Sequence, residues 1–572
     1  MGSSTAADGR AEALLRHIRE SVIGEDHVME TPYGRRRVTY ADYTASGRAL
    51  SFIEDFVRDE VLPAYANTHT ESSGTGLQTT RLREEARRIV HDAVGGDDDT
   101  VVVFAGSGCT GAIDKLVGVL GLRVPSALED RWHLTDVIPA DQRPVVFIGP
   151  YEHHSNELPW RETIADVVTI REDPDGRIDQ ADLEARLEEH AGRPLLIGSF
   201  SAASNVTGIV SDTHGISALL HRHGALAFWD FAAAAPYVEI EMSAPAGGDP
   251  LSYKDAIFLS PHKFIGGPST PGVLVARREL FANRVPVTPG GGTVAYVNPE
   301  DHAYLPDPAH REEGGTPAII ESIRAGLVFQ LKEAVGTSTI RAREERFLER
   351  AVRAWREEPA IEILGNLDAP RLSIVSFVVR SPAGRHLHHN YVVALLHDLF
   401  GIQSRGGCSC AGPYGHRLLG IDLERSHEFE REITGGCEGI KPGWVRVNFN
   451  YFISDTVADY VVEAVRMVAR DGWRLLGDYT FCPETGLWRH RQGVVEPPLR
   501  LADVRYGDDG SVTMPSSDLR GGEEMLAEHL RDAAAVLAAA TPPELDHADT
   551  HVSADFEHLR WFDLPEGAVV AP

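Results

Sequence analysis

Cysteine is scarce in this sequence. The five present, Cys109, Cys408, Cys410, Cys437 and Cys482, are odd in number and form no disulfide framework. A reducing, cytoplasmic setting is therefore expected, and each thiol has to be judged by its neighbours. Positive charge is also in deficit, with 55 Lys and Arg against 85 Asp and Glu and a net charge of −30. Phosphate backbones and anionic lipid surfaces need a basic footprint, so neither nucleic acid nor membrane is an expected partner. No apolar run reaches the length of a membrane span. The first residues, Met1-Gly-Ser-Ser-Thr-Ala-Ala-Asp8, have neither the basic nor the apolar region of a signal peptide and read as a flexible lead. The remaining composition, 42% hydrophobic and 24% charged over 572 residues, is that of a globular protein with a large core and two or three domains.

Between about residues 100 and 285, buried β-rich runs alternate with helical patterns. The runs are Val101–Phe104, Val145–Ile148, Val167–Ile170, Leu195–Phe200, Ala225–Trp229 and Ala256–Leu259. Continuous apolar strands between helices predict an α/β layer with a mostly parallel sheet. Ligands in such sheets bind beyond the carboxyl ends of the strands. His153, Asn205, Asp230 and Lys263 all fall just after predicted strands. Residues 10–95 read as helices with an exposed connector, the small polar loop 67–76 among them. Residues 286–335 read as irregular, with glycine turns at Gly290–Thr293 and Glu313–Pro317. A smaller α+β unit follows, with a strand at Ser373–Val379 and another at Val445–Phe452 carrying Arg446. His386, His388 and His389 read as a solvated helix start. The last ninety residues are broken by prolines around one Ala-rich helix, Gly522–Ala540.

One stretch carries the chemistry. After the strand Ala256–Leu259 come Ser260, Pro261, His262, Lys263 and a glycine pair. A lysine held there is desolvated, which lowers its pKa and frees its amine as a nucleophile. About thirty residues upstream a second buried strand ends in Asp230. Gly106-Ser-Gly-Cys-Thr-Gly111 follows the first strand and opens a helix, so its free N–H groups suit a phosphate, although a plain strand-to-helix turn reads the same way. It is neither a Walker loop nor a dinucleotide fingerprint. The pair His153-His154 lacks metal-ligand spacing, and no metal is expected. A second glycine-rich loop, Gly401–Gly412, holds Arg405, Cys408 and Cys410. Thiols two residues apart bridge only with strain, so a reactive thiolate near Arg405 fits better than a disulfide.

Together these residues resemble the class V aminotransferases, pyridoxal-phosphate enzymes of fold type I. The likeness is greatest to cysteine desulfurases and selenocysteine lyases, with a Cys-x-Cys loop similar to that of molybdenum-cofactor sulfurases. It rests on Glu152-His-His-Ser-Asn156 with Pro159-Trp160, Ser204-Asn-Val206, Asp230, Ser260-Pro-His-Lys263, Gly315-Thr-Pro317, Arg405 five residues before Cys410, and Val445-Arg446. It spans about residues 35–470 and leaves the C-terminus uncovered.

The resemblance implies a seven-stranded, mostly parallel sheet between helices in a large pyridoxal-phosphate-binding domain, residues 35–335. A helical lead (1–34) precedes it, and a small α+β domain (336–478) and an appended element (479–572) follow. It implies that Lys263 forms the Schiff base and moves the substrate Cα proton, that Asp230 pairs with the pyridine nitrogen, and that His153 stacks on the ring. Asn205 would bond near the phenolic oxygen. Cys109, Thr110, Ser260 and His262 would hold the phosphate, and Thr316 that of a neighbouring subunit, hence a homodimer. Arg446, with Arg405, would bind the substrate carboxylate, bidentate where a lysine would be a point charge. Cys410 would take the substrate sulfur as a persulfide, for delivery to an acceptor protein.

Two positions depart from the pattern. Ala233 stands where desulfurases carry a glutamine, and Cys408 where selenocysteine lyases often carry a histidine. These departures open alternatives, but the expected activity is a cysteine desulfurase or C–S lyase acting on L-cysteine or a related amino acid. The alternatives are a class V transaminase, epimerase or β-eliminating lyase, and, from another class, a silent relic used as scaffold or relay.

Overall fold

The computed structural model describes residues 2–68, 70–493, 495–545 and 552–570. Met1, His69 of the polar loop, and residues 494, 546–551 and 571–572 of the final stretch lie outside the described residues. The six apolar runs are strands: Thr100–Ala105, Val145–Ile148, Asp166–Thr169, Leu196–Ser201, Leu226–Asp230 and Ala256–Leu259. Four of them are buried at every position, which is why they show none of the alternation of a half-exposed strand. A seventh strand, Gly272–Arg277, was not anticipated. Along the sheet the order is 100–105, 272–277, 256–259, 226–230, 196–201, 145–148 and 166–169. The strand at 272–277 runs antiparallel to both neighbours, and the other pairs are parallel. This is the mostly parallel seven-stranded sheet that was expected.

The register brings chemistry to one edge. Asp230 lies level with Ser201 on one side and Phe258 on the other. The strands at 196–201, 226–230 and 256–259 thus end together, and the loops leaving them share one crevice.

Residues 286–335 are not irregular. They form a hairpin (Val294–Val297 with His302–Tyr304), a short helix (Pro308–Glu312) and a 17-residue helix, Ile319–Val335. That helix packs on Gly74–Ala93, where Gly326 lies so close to Ala86 that an added Cβ would come within 2.7 Å. The N-terminal lead is one helix, Gly2–Ser21, and its second half is packed, with Leu15 and Ile18 buried.

The smaller sheet is antiparallel, in the order Ile361–Ile363, Ile374–Arg380, Trp444–Asn448 and Arg405–Gly407. Its register sets Arg405 directly opposite Arg446. Like charges so placed repel, and a third segment supplies the counter-charge. Thr39–Tyr40 pairs in parallel with Ile402–Gln403. The chain then continues between the two arginine strands, Ala41 N donating to Gln403 O (3.0 Å) and Asn448 N donating to Ala41 O (2.9 Å). Asp42 follows at once.

The C-terminal stretch is packed into the small unit. Leu526, Ala533 and Leu537 of the helix Glu524–Ala539 join its core, as do Phe556 and Phe562. His388 and His389 are accordingly not a solvated helix start. His388 is 1% exposed, caps the helix His389–Phe400 and stacks on Trp561 with its ring edge toward Phe562. His386 is partly buried beside the same aromatic group. The polar cluster could not announce this, because its cover, Phe481, Trp488, Trp561 and Phe562, comes from far downstream. Burial holds the His388 imidazole well below the usual histidine range. The neutral form is therefore the folded form, and this packing loses stability as pH falls below about 6.5, where the unfolded chain takes up the proton. Phe481, fully buried in this aromatic group, gives the test. Phe481→Ala should cost about 3–5 kcal/mol in urea unfolding. A change under about 1 kcal/mol would mean that the C-terminal stretch is not part of the small unit's core.

Candidate active site

At the carboxyl ends of the large sheet lies a cavity of about 580 Å³. Lys263 is on its floor, in a single turn (Pro261–Lys263) that follows the strand Ala256–Leu259. Desolvation first, then the positive Arg446 and Arg405, hold its ammonium below the ordinary lysine value, and Asp230 opposes them. Asp230 is 4% exposed. One of its oxygens accepts from Ala232 N at 2.7 Å, and burial raises its carboxyl despite that bond and the nearby Lys263. Both groups sit where their charged forms are poorly solvated.

The phosphate-type turn is built as expected. Ser107 ends the strand extension, and the helix Gly108–Val119 begins at the cavity, with Gly106 to Thr110 in its lining. Gly106 and Gly108 take φ of +46° and +54°. A Cβ on Gly108 would meet Ser260 Oγ at 2.9 Å and His262 Nε2 at 3.4 Å, so the cradle is closed to any larger residue. Ser260 Oγ accepts from Cys109 N at 2.8 Å. Thr110 faces the cavity, and its hydroxyl pairs with Ser155 Oγ at 2.7 Å. Cys109 itself is buried against Asp230 and Ser260, and burial keeps its thiol protonated.

The loop after Val145–Ile148 supplies the wall. Glu152 accepts from Ser201 N (2.9 Å), Ser201 Oγ (2.6 Å) and Asn156 Nδ2 (2.6 Å). Asn156 Oδ1 in turn accepts from Ser199 Oγ and Trp160 Nε1. Burial pushes the Glu152 carboxyl up to about 7 while these donors pull it down. The Glu152, Asn156 and Trp160 of the motif are thus anchors, and they leave His153 on the cavity. Its Nδ1 accepts from Ser155 N at 3.1 Å and lies 3.0 Å from Ser155 Oγ, so the ring proton is on Nε2. Desolvation, with Lys263, His154, Arg446 and Arg405 nearby, pushes it down to about 3. It is a neutral donor at neutral pH. His262 is likewise held down, to about 4, by burial and Lys263.

Arg446 enters from the small sheet and is 2% exposed. Its Nη1 donates to Asn205 O (3.0 Å) and its Nη2 to Asp42 Oδ1 (2.9 Å), while Nε is buried without a partner. Arg405 Nε donates to the other Asp42 oxygen at 3.1 Å. Asp42 thus bridges the two arginines, a role the sequence reading missed. Its only signal was a position between a short strand and a glycine turn. Ser155 was missed too, although it lies within the quoted motif. Ala233, in place of a polar residue, lines the cavity.

The cysteine loop reaches the cavity through Ser409, which lines it, whereas Cys410 is exposed outside the lining. Asn205 Nδ2 donates to Ser409 O at 2.9 Å. Ser409 and Cys410 both adopt left-handed backbone (φ +51° and +56°), at a cost of about 1–2 kcal/mol each. All five cysteines are free thiols. Thr316 is exposed, accepts from Asn67 Nδ2 (3.3 Å) and lies outside this cavity. Among the described residues no group of three or more His, Cys, Asp and Glu could hold a metal, and no helix is long and apolar enough to cross a membrane.

A lysine and a carboxylate at adjacent strand ends, a glycine turn at a helix N-terminus and a neutral histidine on the wall form an arrangement that would suit pyridoxal phosphate in an enzyme of fold type I. The residues fit that group. The glycine turn, Ser260 and His262 line the cavity at a helix N-terminus, which suits a phosphate, and buried Asp230 takes no hydrogen bond from a cationic side chain. The profile of the family "Aminotransferase class-V" matches residues 39–424, well over half of the chain, and the chain belongs to that family. It is a pyridoxal-phosphate-dependent enzyme of the transferase or lyase kind.

Its curated relatives include the cysteine desulfurase of Dickeya dadantii, 28% identical over 390 residues, covering 68% of this chain and 86% of that protein. A probable cysteine desulfurase of Halobacterium salinarum is 26% identical over 400 residues, covering 69% and 88%. Among solved structures, the apo cysteine desulfurase of Thermococcus onnurineus superposes with a TM-score of 0.62 at 22% identity, covering 79% of this chain and 97% of that one. The Escherichia coli desulfurase CsdA gives 0.56 at 22% identity, covering 74% and 93%. These superpositions establish the common fold.

Asp42→Asn tests the arginine bridge. Removing one partner of a buried ion pair should cost about 3 kcal/mol in urea unfolding at low salt. Added chloride should recover part of that loss by occupying the vacated place between the guanidiniums. An unchanged midpoint would mean that Arg405 and Arg446 do not depend on Asp42.

Proposed function

We propose that this enzyme is a cysteine desulfurase, moving sulfur from L-cysteine or a related amino acid to Cys410. The observation that carries this reading is that the loop bearing Cys410 is bonded across the mouth of the cavity that holds Lys263, through Ser409 and Asn205.

Bound in the cavity, pyridoxal phosphate supplies an electron sink that acidifies the Cα–H of an amino acid joined to it. The turn Gly106–Thr110, Ser260 and His262 would hold its phosphate, and Asp230 would keep a proton on its ring nitrogen. Lys263, its amine already favoured by burial, takes the Cα proton. Arg446 receives the substrate carboxylate on the edge that includes its unpartnered Nε, while Asp42 and Asn205 O hold the other donors. Proton transfer by a positioned group of this kind contributes about 10²–10⁴-fold to rate. The Cys410 thiolate then forms a bond to the substrate sulfur as the carbon–sulfur bond breaks. Cysteine and a thiol become alanine and a persulfide, with no net oxidation. Exposed Cys410 is placed to pass that sulfur to an acceptor protein. A homodimer with Thr316 serving the neighbouring subunit's site, and a cytoplasmic setting, belong to the same reading.

Lys263→Ala should abolish both the visible absorbance and the borohydride-reducible linkage of the holoenzyme. Cys410→Ala should keep that linkage and lose persulfide formation from cysteine by at least about 10²-fold. Persulfide transfer that survives Cys410→Ala unchanged would remove Cys410 as acceptor. Sulfide-free formation of a keto acid or a D-amino acid would point to transamination or epimerisation.

A further inference from the structure

We propose that His154 is a positioning residue for Cys410, docking the cysteine loop onto the large unit by two hydrogen bonds that flank the thiol. The inference rests on the desulfurase reading. His154 N donates to Cys410 O at 2.8 Å, and Gly412 N donates to His154 Nε2 at 3.1 Å. Between them Ala411 is fully buried. Apart from Asn205 on Ser409 O, these are the hydrogen bonds that tie residues 409–412 to the large unit's loops. The thiol itself enters no such bond, so the loop is held by its backbone while Cys410 Sγ stays free.

Two features make this more than a packing contact. Ser409 and Cys410 stand in left-handed backbone conformations that side chains disfavour, so outside bonds are needed to hold them there. His154 also follows His153 directly, and its imidazole lies 6.3 Å from that ring.

Nε2 accepts only while the imidazole is neutral with its proton on Nδ1. Desolvation lowers the His154 pKa, and Lys441 and Arg161 add to that while Glu157 opposes it. The latch is therefore closed at neutral pH and opens on acidification below the ordinary histidine range.

Hydrogen exchange at the Gly412 amide of the holoenzyme reads the latch without turnover. His154→Ala should speed that exchange about 3- to 10-fold, as loss of one hydrogen bond does. The kcat for sulfur transfer to Cys410 should fall by a similar factor with KM for cysteine unchanged. His154→Gln, whose amide oxygen reaches about as far as Nε2, should restore both and remove the acid-side loss of protection. If His154→Ala loses the linkage to Lys263, the pH series on the unaltered chain and His154→Gln decide instead. Unchanged Gly412 exchange, lost protection without a drop in kcat, failure of glutamine to rescue, or protection that does not fall with acid would each overturn the proposal. Failure of the desulfurase reading shows separately, as persulfide transfer that survives Cys410→Ala.

Discussion

Desolvation of charge at the ends of two adjacent strands is the constraint on which the site depends. Asp230 and Lys263 end neighbouring parallel elements, Leu226–Asp230 and Ala256–Leu259 with its following turn. Burial raises the pKa of one and lowers that of the other. Neither shift would arise in solvent, and neither would arise if the strands ended out of register. The buried β-rich runs that build the sheet thus do two things. They supply the core, and they carry two ionisable groups into a place where an amine can act as a base and a carboxylate needs a cationic partner.

The small sheet solves a different electrostatic problem. Its register sets Arg405 against Arg446, which is useful for a carboxylate-bearing substrate and unfavourable without one. Asp42 answers this by arriving between the two strands on a segment hydrogen-bonded to both. The same pairing carries the cysteine loop, since Ile402–Gln403 leads into Arg405 and on to Cys410. Charge compensation and placement of Cys410 are therefore one piece of architecture, and His154 with Asn205 closes it from the other side.

Much of this was legible in the residues. Fully buried strands leave continuous apolar runs, and positions just past such runs predict one shared crevice, which is where His153, Asn205, Asp230 and Lys263 lie. What escaped was long-range or masked. The helix Ile319–Val335 buries Ser322, Gly326 and Lys332 among its apolar residues, which blurs the helical pattern, and flanking glycine turns made it look irregular. Asp42 meets partners 363 and 404 residues away. His388 looks like a polar cap until Trp561 and Phe562 cover it. The division of labour within Glu152–Trp160, anchors at every fourth residue and His153 left free, needs the neighbouring strand to be seen.

The central claim is that Cys410 accepts sulfur activated over Lys263. A single turnover of the holoenzyme with L-cysteine, followed by peptide mass measurement, tests it most directly. The account predicts one added sulfur atom on the peptide containing Cys410, removable by a reducing thiol, with one alanine released for each. Alanine formed with no added sulfur on that peptide, or the sulfur found on Cys408 alone, would contradict it.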